Sequence, residues 1–174
     1  MKIKFKEDKA TILKLLKTAN IKKRLRILDK LNGVNERDSI KILLKVLEDS
    51  SWTMREKAAR RLAQYGNRVV PRLEKLLNRG YWFTRASACL SLGEIGNLKS
   101  LKSIVPILLT DDNPTVVKEA SAALIKIARK KPLALSETLR QMSLDASQMA
   151  KILKIIEEAD ADVFTVIKET IENE

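Results

Sequence analysis

The chain has 174 residues, 45% of them hydrophobic and 32% charged, with 34 Lys and Arg against 22 Asp and Glu for a formal net charge of +12. That length and apolar content supply a core for one domain, and no Gly/Ser-rich, Pro-rich or low-complexity tract divides it. With no histidine the commonest general base and metal ligand is missing, and one cysteine leaves no internal disulfide, thiol–imidazole pair or zinc set.

The opening stretch MKIKFKEDKA is charged and lacks an apolar run, so no secretory signal is expected. No later segment approaches the roughly 20 apolar residues that span a bilayer. Apolar residues at helical spacing predict helices over Ala10–Thr18 and Ile21–Leu31, with Asn32-Gly33 as the stop of the second and Ser39–Leu47 as its partner. Residues 52–66, 82–96 and 114–128 then repeat one pattern: WTMREKAARRLAQYG, WFTRASACLSLGEIG and PTVVKEASAALIKIA. Leu62, Leu92 and Leu124 coincide, as do Ala58, Ala88 and Ala120, and the register advances 30 residues and then 32. In the first copy Met54, Ala58, Leu62 and Tyr65 share a face, with Arg55, Glu56, Arg60 and Arg61 opposite them. Small alanines allow close helix approach, which fits an aromatic content of 4%.

Gly66 and Gly96 stand where a helix stop needs a left-handed residue. A second helix follows each, Val69–Leu77 and Leu101–Leu109. Pro71 falls in a first turn, where it is tolerated, whereas Pro106 sits later, so its helix is expected to restart there. Pro132–Met142, Ala146–Glu157 and Ala161–Ile171 complete the series, with Asp145 and Asp160 at N-cap positions. No stretch alternates long enough to propose a strand. Around eleven helices in about five hairpins, repeating at roughly 30 residues, describe an all-α solenoid with one continuous core.

These residues resemble the HEAT-repeat superfamily, and more closely its short HEAT-like repeats of the phycobilin-lyase type. The shared pattern is an aspartate, then Pro or Trp, then Val-Arg, Ala-Ala, Leu-Gly and Ile-Gly. It is carried here by Asp49 with Trp52-Thr53-Met54-Arg55, by Trp82-Phe83-Thr84-Arg85, and by Asp111 with Pro114-Thr115-Val116. The resemblance implies a right-handed αα-superhelix and a hydrogen-bonded ladder between the aspartates and arginines of successive repeats. The ladder residues are Asp49, Arg55, Arg85 and Asp111. Arg79 occupies the second aspartate position and Val117 the third arginine position, so the ladder is interrupted, and Arg85 is left to pair with Asp49 or Asp111. Good matches cover residues 49 to 128. The organisation expected is one domain over 1–174, with 1–48 as degenerate amino-terminal units, 49–131 as well-matched repeats and 132–174 as acidic carboxy-terminal units.

Charge adds a second signal. Residues 1–131 hold 30 Lys and Arg against 13 Asp and Glu, a net of +17, whereas residues 132–174 hold 4 against 9, a net of −5. In stacked hairpins the second helices line the concave surface, and they carry Lys41, Lys45, Arg68, Arg72, Lys75, Arg79, Lys99 and Lys102. A separate convex set is Arg24, Arg26, Arg55, Lys57, Arg60, Arg61, Lys126, Arg129 and Lys130. Trp52 and Tyr81-Trp82-Phe83 open two successive first helices. They serve either as edge packing or as aromatic anchors beside arginine.

The reading is a non-enzymatic, cytoplasmic scaffold whose basic concave surface binds a protein partner with an acidic surface. The alternative is sequence-independent DNA or RNA backbone binding through the same groove. Because HEAT-like folds include alkylpurine DNA glycosylases, the resemblance leaves an enzymatic reading in third place; the lyase likeness rests on fold-building residues alone. No cofactor or metal is implied, and no glycine-rich phosphate loop is present.

Overall fold

The computed structural model describes residues 8–31 and 34–172, except for the side chains of Arg79 and Glu172. The opening residues MKIKFKE, the Asn32-Gly33 stop and the Arg79 side chain lie outside this description. The described residues form α1 (Lys9–Thr18), α2 (Ile21–Lys30), α3 (Glu36–Val46), α4 (Trp52–Ala63), α5 (Val70–Arg79) and α6 (Trp82–Ile95). They continue as α7 (Leu101–Thr110), α8 (Pro114–Lys130), α9 (Pro132–Arg140), α10 (Ala146–Ala159) and α11 (Ala161–Glu172). Short 3-10 turns at Gly66–Arg68 and Leu98–Ser100 lead into α5 and α7, and no strand occurs among the described residues.

Local chemistry sets most boundaries. The side chains of Asp8, Asn20, Asn35, Asn113 and Asp145 accept backbone N–H groups at the starts of α1, α2, α3, α8 and α10. At Asp145 the cap is reciprocal, because Gln148 accepts the Asp145 amide in return. Gly66 and Gly96 hold φ of +57° and +71°, the left-handed values their positions predicted. Pro106 departs from expectation, since α7 runs through it unbroken. The amide it lacks would have bonded the carbonyl of Lys102 in the first turn, on the exposed side of the helix.

The helices stack in two layers. α2, α4, α6, α8 and α10 follow one another in the first, and α1, α3, α5, α7, α9 and α11 form the second. Each of α3, α5 and α7 packs against the first-layer helix of the following unit, so successive units interlock. Met54, Ala58, Leu62, Ala88, Leu92, Ala120 and Leu124, the repeat positions, all lie in the core. The tightest seam joins α6 and α8. A Cβ added at Gly93 would sit 2.6 Å from Ala123 Cα and 2.8 Å from its Cβ, so only glycine permits this approach. Cys89 is buried between these helices, and burial pushes its thiol up to about 12. The result is an all-α superhelical repeat fold.

Candidate functional site

Two groups of surface residues stand out, and the stacking of the layers defines both. The first is the row of cations on the second layer. Lys41, Arg72, Lys75, Lys99 and Lys102 are exposed, and none forms an ion pair among the described residues. Lys45 and Arg68 are also exposed but already neutralised. Lys45 pairs with Glu48, and Arg68 donates to both carboxylate oxygens of Glu36 at 2.8 Å.

First-layer cations are mostly compensated. Lys57 pairs with Asp29 at 2.7 Å, Arg60 and Lys126 both reach Glu94 at 2.8 Å, and Lys130 donates to the Glu94 carbonyl. The Lys126 hydrogen bond, with the surrounding cations, holds the Glu94 carboxyl below the usual range. The exception is a cleft of about 660 Å³ between α1 and α2, lined by Leu15, Asn20, Lys22, Lys23, Arg26, Ile27 and Lys30 without a carboxylate. Sequence reasoning passed over Lys22, Lys23 and Lys30, although the run IKKRLRILDK was dense enough in charge to mark them.

The second group sits where α4 and α6 begin side by side. Neither helix start has a side-chain cap, and aromatic residues surround both. Tyr81 is 71% exposed, Trp52 and Trp82 are exposed to lesser extents, and Phe83 is half-buried. Tyr81 stacks on Phe83 with ring centroids 5.3 Å apart, and Trp82 meets Phe83 edge-on at 5.6 Å. Arg55 lies between the rings of Trp52 and Phe83, at 5.5 and 5.1 Å from their centroids.

Arg55 is therefore not on the solvent face where helical spacing had placed it. Only 5% of it is exposed. It lies in the first turn of α4, where its guanidinium folds back onto the preceding loop. Nη1 donates to the carbonyls of Asp49 at 2.6 Å and Ser50 at 3.0 Å, and Phe83 of the next unit closes over it. Burial pulls its pKa down, and the nearby Asp49 charge opposes that.

The ladder has a different composition from the one the pattern implied. The Asp49 carboxylate is taken by Arg24, a residue assigned to the convex basic set. Arg85 pairs with Asp111 across the unit boundary, Nε at 2.6 Å and Nη2 at 2.9 Å, while its Nη1 donates to the Gly80 carbonyl. Asp49 and Asp111 each also accept the backbone N–H two residues further on, from Ser51 and Asn113. At the opposite end of α8, outside the ladder, Arg129 pairs with Asp160 at 2.7 Å. The 25-residue step from Arg24 to Asp49 matches the 26-residue step from Arg85 to Asp111, which is the signal that could have found Arg24. Between these two rungs Arg55 forms no ion pair among the described residues.

Among the described residues no cluster of His, Cys, Asp or Glu is arranged to hold a metal ion, and no helix is long and apolar enough to cross a membrane. The family model for HEAT repeats matches residues 10–86, from α1 into α6. No curated protein shows significant sequence similarity to the chain. Among solved structures the chain is similar to the complex of CpcE and CpcF of phycocyanin lyase from Nostoc sp. PCC7120, at 18% identity and a TM-score of 0.47. That alignment covers 92% of this chain and 68% of the other. Residues 10–86 thus match HEAT repeats, and the described residues as a whole form an all-α superhelical repeat fold.

Proposed function

We propose that this chain is a non-enzymatic scaffold that binds a protein partner with an acidic surface through the second-layer cations. HEAT repeats generally mediate protein interactions. The observation that carries the finer reading is the set of exposed Lys41, Arg72, Lys75, Lys99 and Lys102, none of them in an ion pair among the described residues. First-layer cations such as Arg60 and Lys126 meet acids of their own chain and have less to offer. Trp52, Tyr81, Trp82 and Phe83 supply anchor contacts at the edge, since aromatic side chains beside arginine dominate interface energies. A cytoplasmic setting fits the buried, unpaired Cys89.

Phosphate-backbone binding is the second reading, and the carboxylate-free cleft of Lys22, Lys23, Arg26 and Lys30 favours it. Catalysis at Asp49 or Asp111 ranks third, because arginines and backbone amides already occupy both carboxylates.

Anisotropy titrations with a labelled acidic peptide and with single- and double-stranded DNA and RNA test these readings at about 50 and about 200 mM salt. A backbone binder making six or more phosphate contacts loses on the order of a thousandfold in affinity across that range. The acidic-partner reading predicts preferential peptide binding with a shallower salt dependence. The double reversal Arg72→Glu/Lys75→Glu is expected to abolish binding with helicity intact. Full binding by that variant refutes the assignment of this face.

A further inference from the structure

Arg55 and Arg85 are posed alike. Each sends Nη1 to a backbone carbonyl five residues earlier, Ser50 at 3.0 Å and Gly80 at 3.1 Å. In Arg85 the other edge of the guanidinium, Nε with Nη2, grips the Asp111 carboxylate in a two-bond fork. In Arg55 the same edge meets no carboxylate among the described residues; its Nε is buried without a partner, as is that of Arg24, but Arg24 still holds Asp49 through Nη2. The chain supplies no acid there because the position equivalent to Asp49 and Asp111 is Arg79.

Burial makes this vacancy costly. Arg55 is buried, whereas Arg24 and Arg85 are only partly buried. The most enclosed of the three arginines is thus the one with no carboxylate in direct contact among the described residues, the Asp49 charge nearby being held by Arg24. Flanking rings offset part of that cost, but they do not satisfy Nε. Rings that merely completed the core would be covered, yet Trp52, Tyr81 and Trp82 remain exposed around the site.

We infer that the Nε–Nη2 edge of Arg55 receives an aspartate or glutamate side chain of the protein partner, which completes the missing rung of the ladder, with Trp52, Tyr81 and Trp82 gripping the apolar residues beside it. This deepens the acidic-partner reading and rests on it. Arg55 contributes a fork of fixed geometry, and the second-layer lysines contribute only diffuse attraction.

The decisive comparison is Arg79→Asp against Arg79→Asn. The aspartate returns an acid to the empty rung within the chain, whereas the asparagine removes the same arginine and supplies no charge. The probe is a short labelled peptide of alternating glutamate and leucine, with a glutamine-for-glutamate copy as its control. Wild type should bind the glutamate peptide alone. Arg79→Asn sets the baseline, since both variants remove the same second-layer cation, and Arg79→Asp should bind at least about tenfold more weakly than Arg79→Asn, because its own carboxylate occupies Arg55. Arg79→Asp should also melt about 2–4 °C above Arg79→Asn, as a new ion pair in a chain of this size requires. A further readout is the Arg55 Nε–H resonance, which should shift on addition of the glutamate peptide and not of the glutamine copy.

Equal binding by the two variants, or no gain in melting temperature for Arg79→Asp, overturns the vacant rung even if the peptide binds elsewhere. Failure of wild type to bind the glutamate peptide overturns this inference and the acidic-partner reading together. Retained peptide binding in Arg79→Asp alongside loss in Arg72→Glu/Lys75→Glu refutes only the role of Arg55.

Discussion

Replacing Asp111 with asparagine tests whether the ladder carries stability. The Asp111 side chain is 4% exposed and receives three hydrogen bonds: Arg85 Nε at 2.6 Å, Arg85 Nη2 at 2.9 Å and the Asn113 amide at 3.0 Å. An amide keeps one acceptor oxygen and turns an NH2 towards a guanidinium that only donates. The variant therefore loses at least one charge-assisted bond, about 1.5–3 kcal/mol. It also strands the Arg85 cation, a penalty below the 3–5 kcal/mol range of broken buried pairs because Arg85 retains 21% exposure. Together these place the loss at about 2–3 kcal/mol, or roughly 4–12 °C in melting temperature for a chain of this size. The matched control is Asp29→Asn, which breaks an exposed contact with Lys57 and should cost less than about 1 kcal/mol. Urea unfolding followed by circular dichroism at neutral pH reads both variants.

The same variant carries a pH signature. The hydrogen bond from Arg85 holds the Asp111 carboxyl below its ordinary value of 3.8 in the folded chain. A depressed carboxyl stabilises the fold fully above its unfolded pKa and loses that contribution as pH falls through the folded value. The gap between wild type and Asp111→Asn should hold from neutrality down to about pH 4 and close only in stronger acid. A loss no larger than that of the Asp29 control, or a gap that closes near neutrality, refutes the ladder as a source of stability.

Gly93→Ala gains helix propensity yet should destabilise by about 1–3 kcal/mol, because its methyl group collides with the Ala123 backbone; denaturant titration decides whether the seam yields. Gly96→Ala forces alanine to a φ of +71° and should cost about 1–2 kcal/mol, read by the same assay. The Cys89 thiol, buried and raised to about 12, should resist a thiol reagent at neutral pH in native protein and react at once in denaturant. Fast labelling of the native chain would contradict that burial.

Some of the candidate site could be read directly. Trp52 and Tyr81-Trp82-Phe83 drew notice by falling at two equivalent repeat positions, and the structure brings them together with Arg55 between the rings. The charge state of the second-layer row was not readable. Lys45 and Arg68 belonged to the same candidate set as Lys41 and Arg72, yet each of the first two found an acid. For Arg68 that acid, Glu36, lies 32 residues away, and no local pattern joins them.

Helix positions, repeat register and glycine stops were determined by the sequence alone, because each depends on interactions within about one turn of the chain. Periodic apolar residues, Asn and Asp caps, and the left-handed tolerance of Gly66 and Gly96 act locally, so the helices of the described residues lie close to where the spacing puts them. What only the tertiary structure decided is which charges meet. Arg24 with Asp49, Arg85 with Asp111 and Arg129 with Asp160 join residues 25 to 31 apart, and each pair exists because one unit stacks on the next. The burial of Arg55 was decided there too. Helical spacing sends it towards solvent, and the following unit, by laying Phe83 over it, leaves it enclosed and without an ion pair among the described residues.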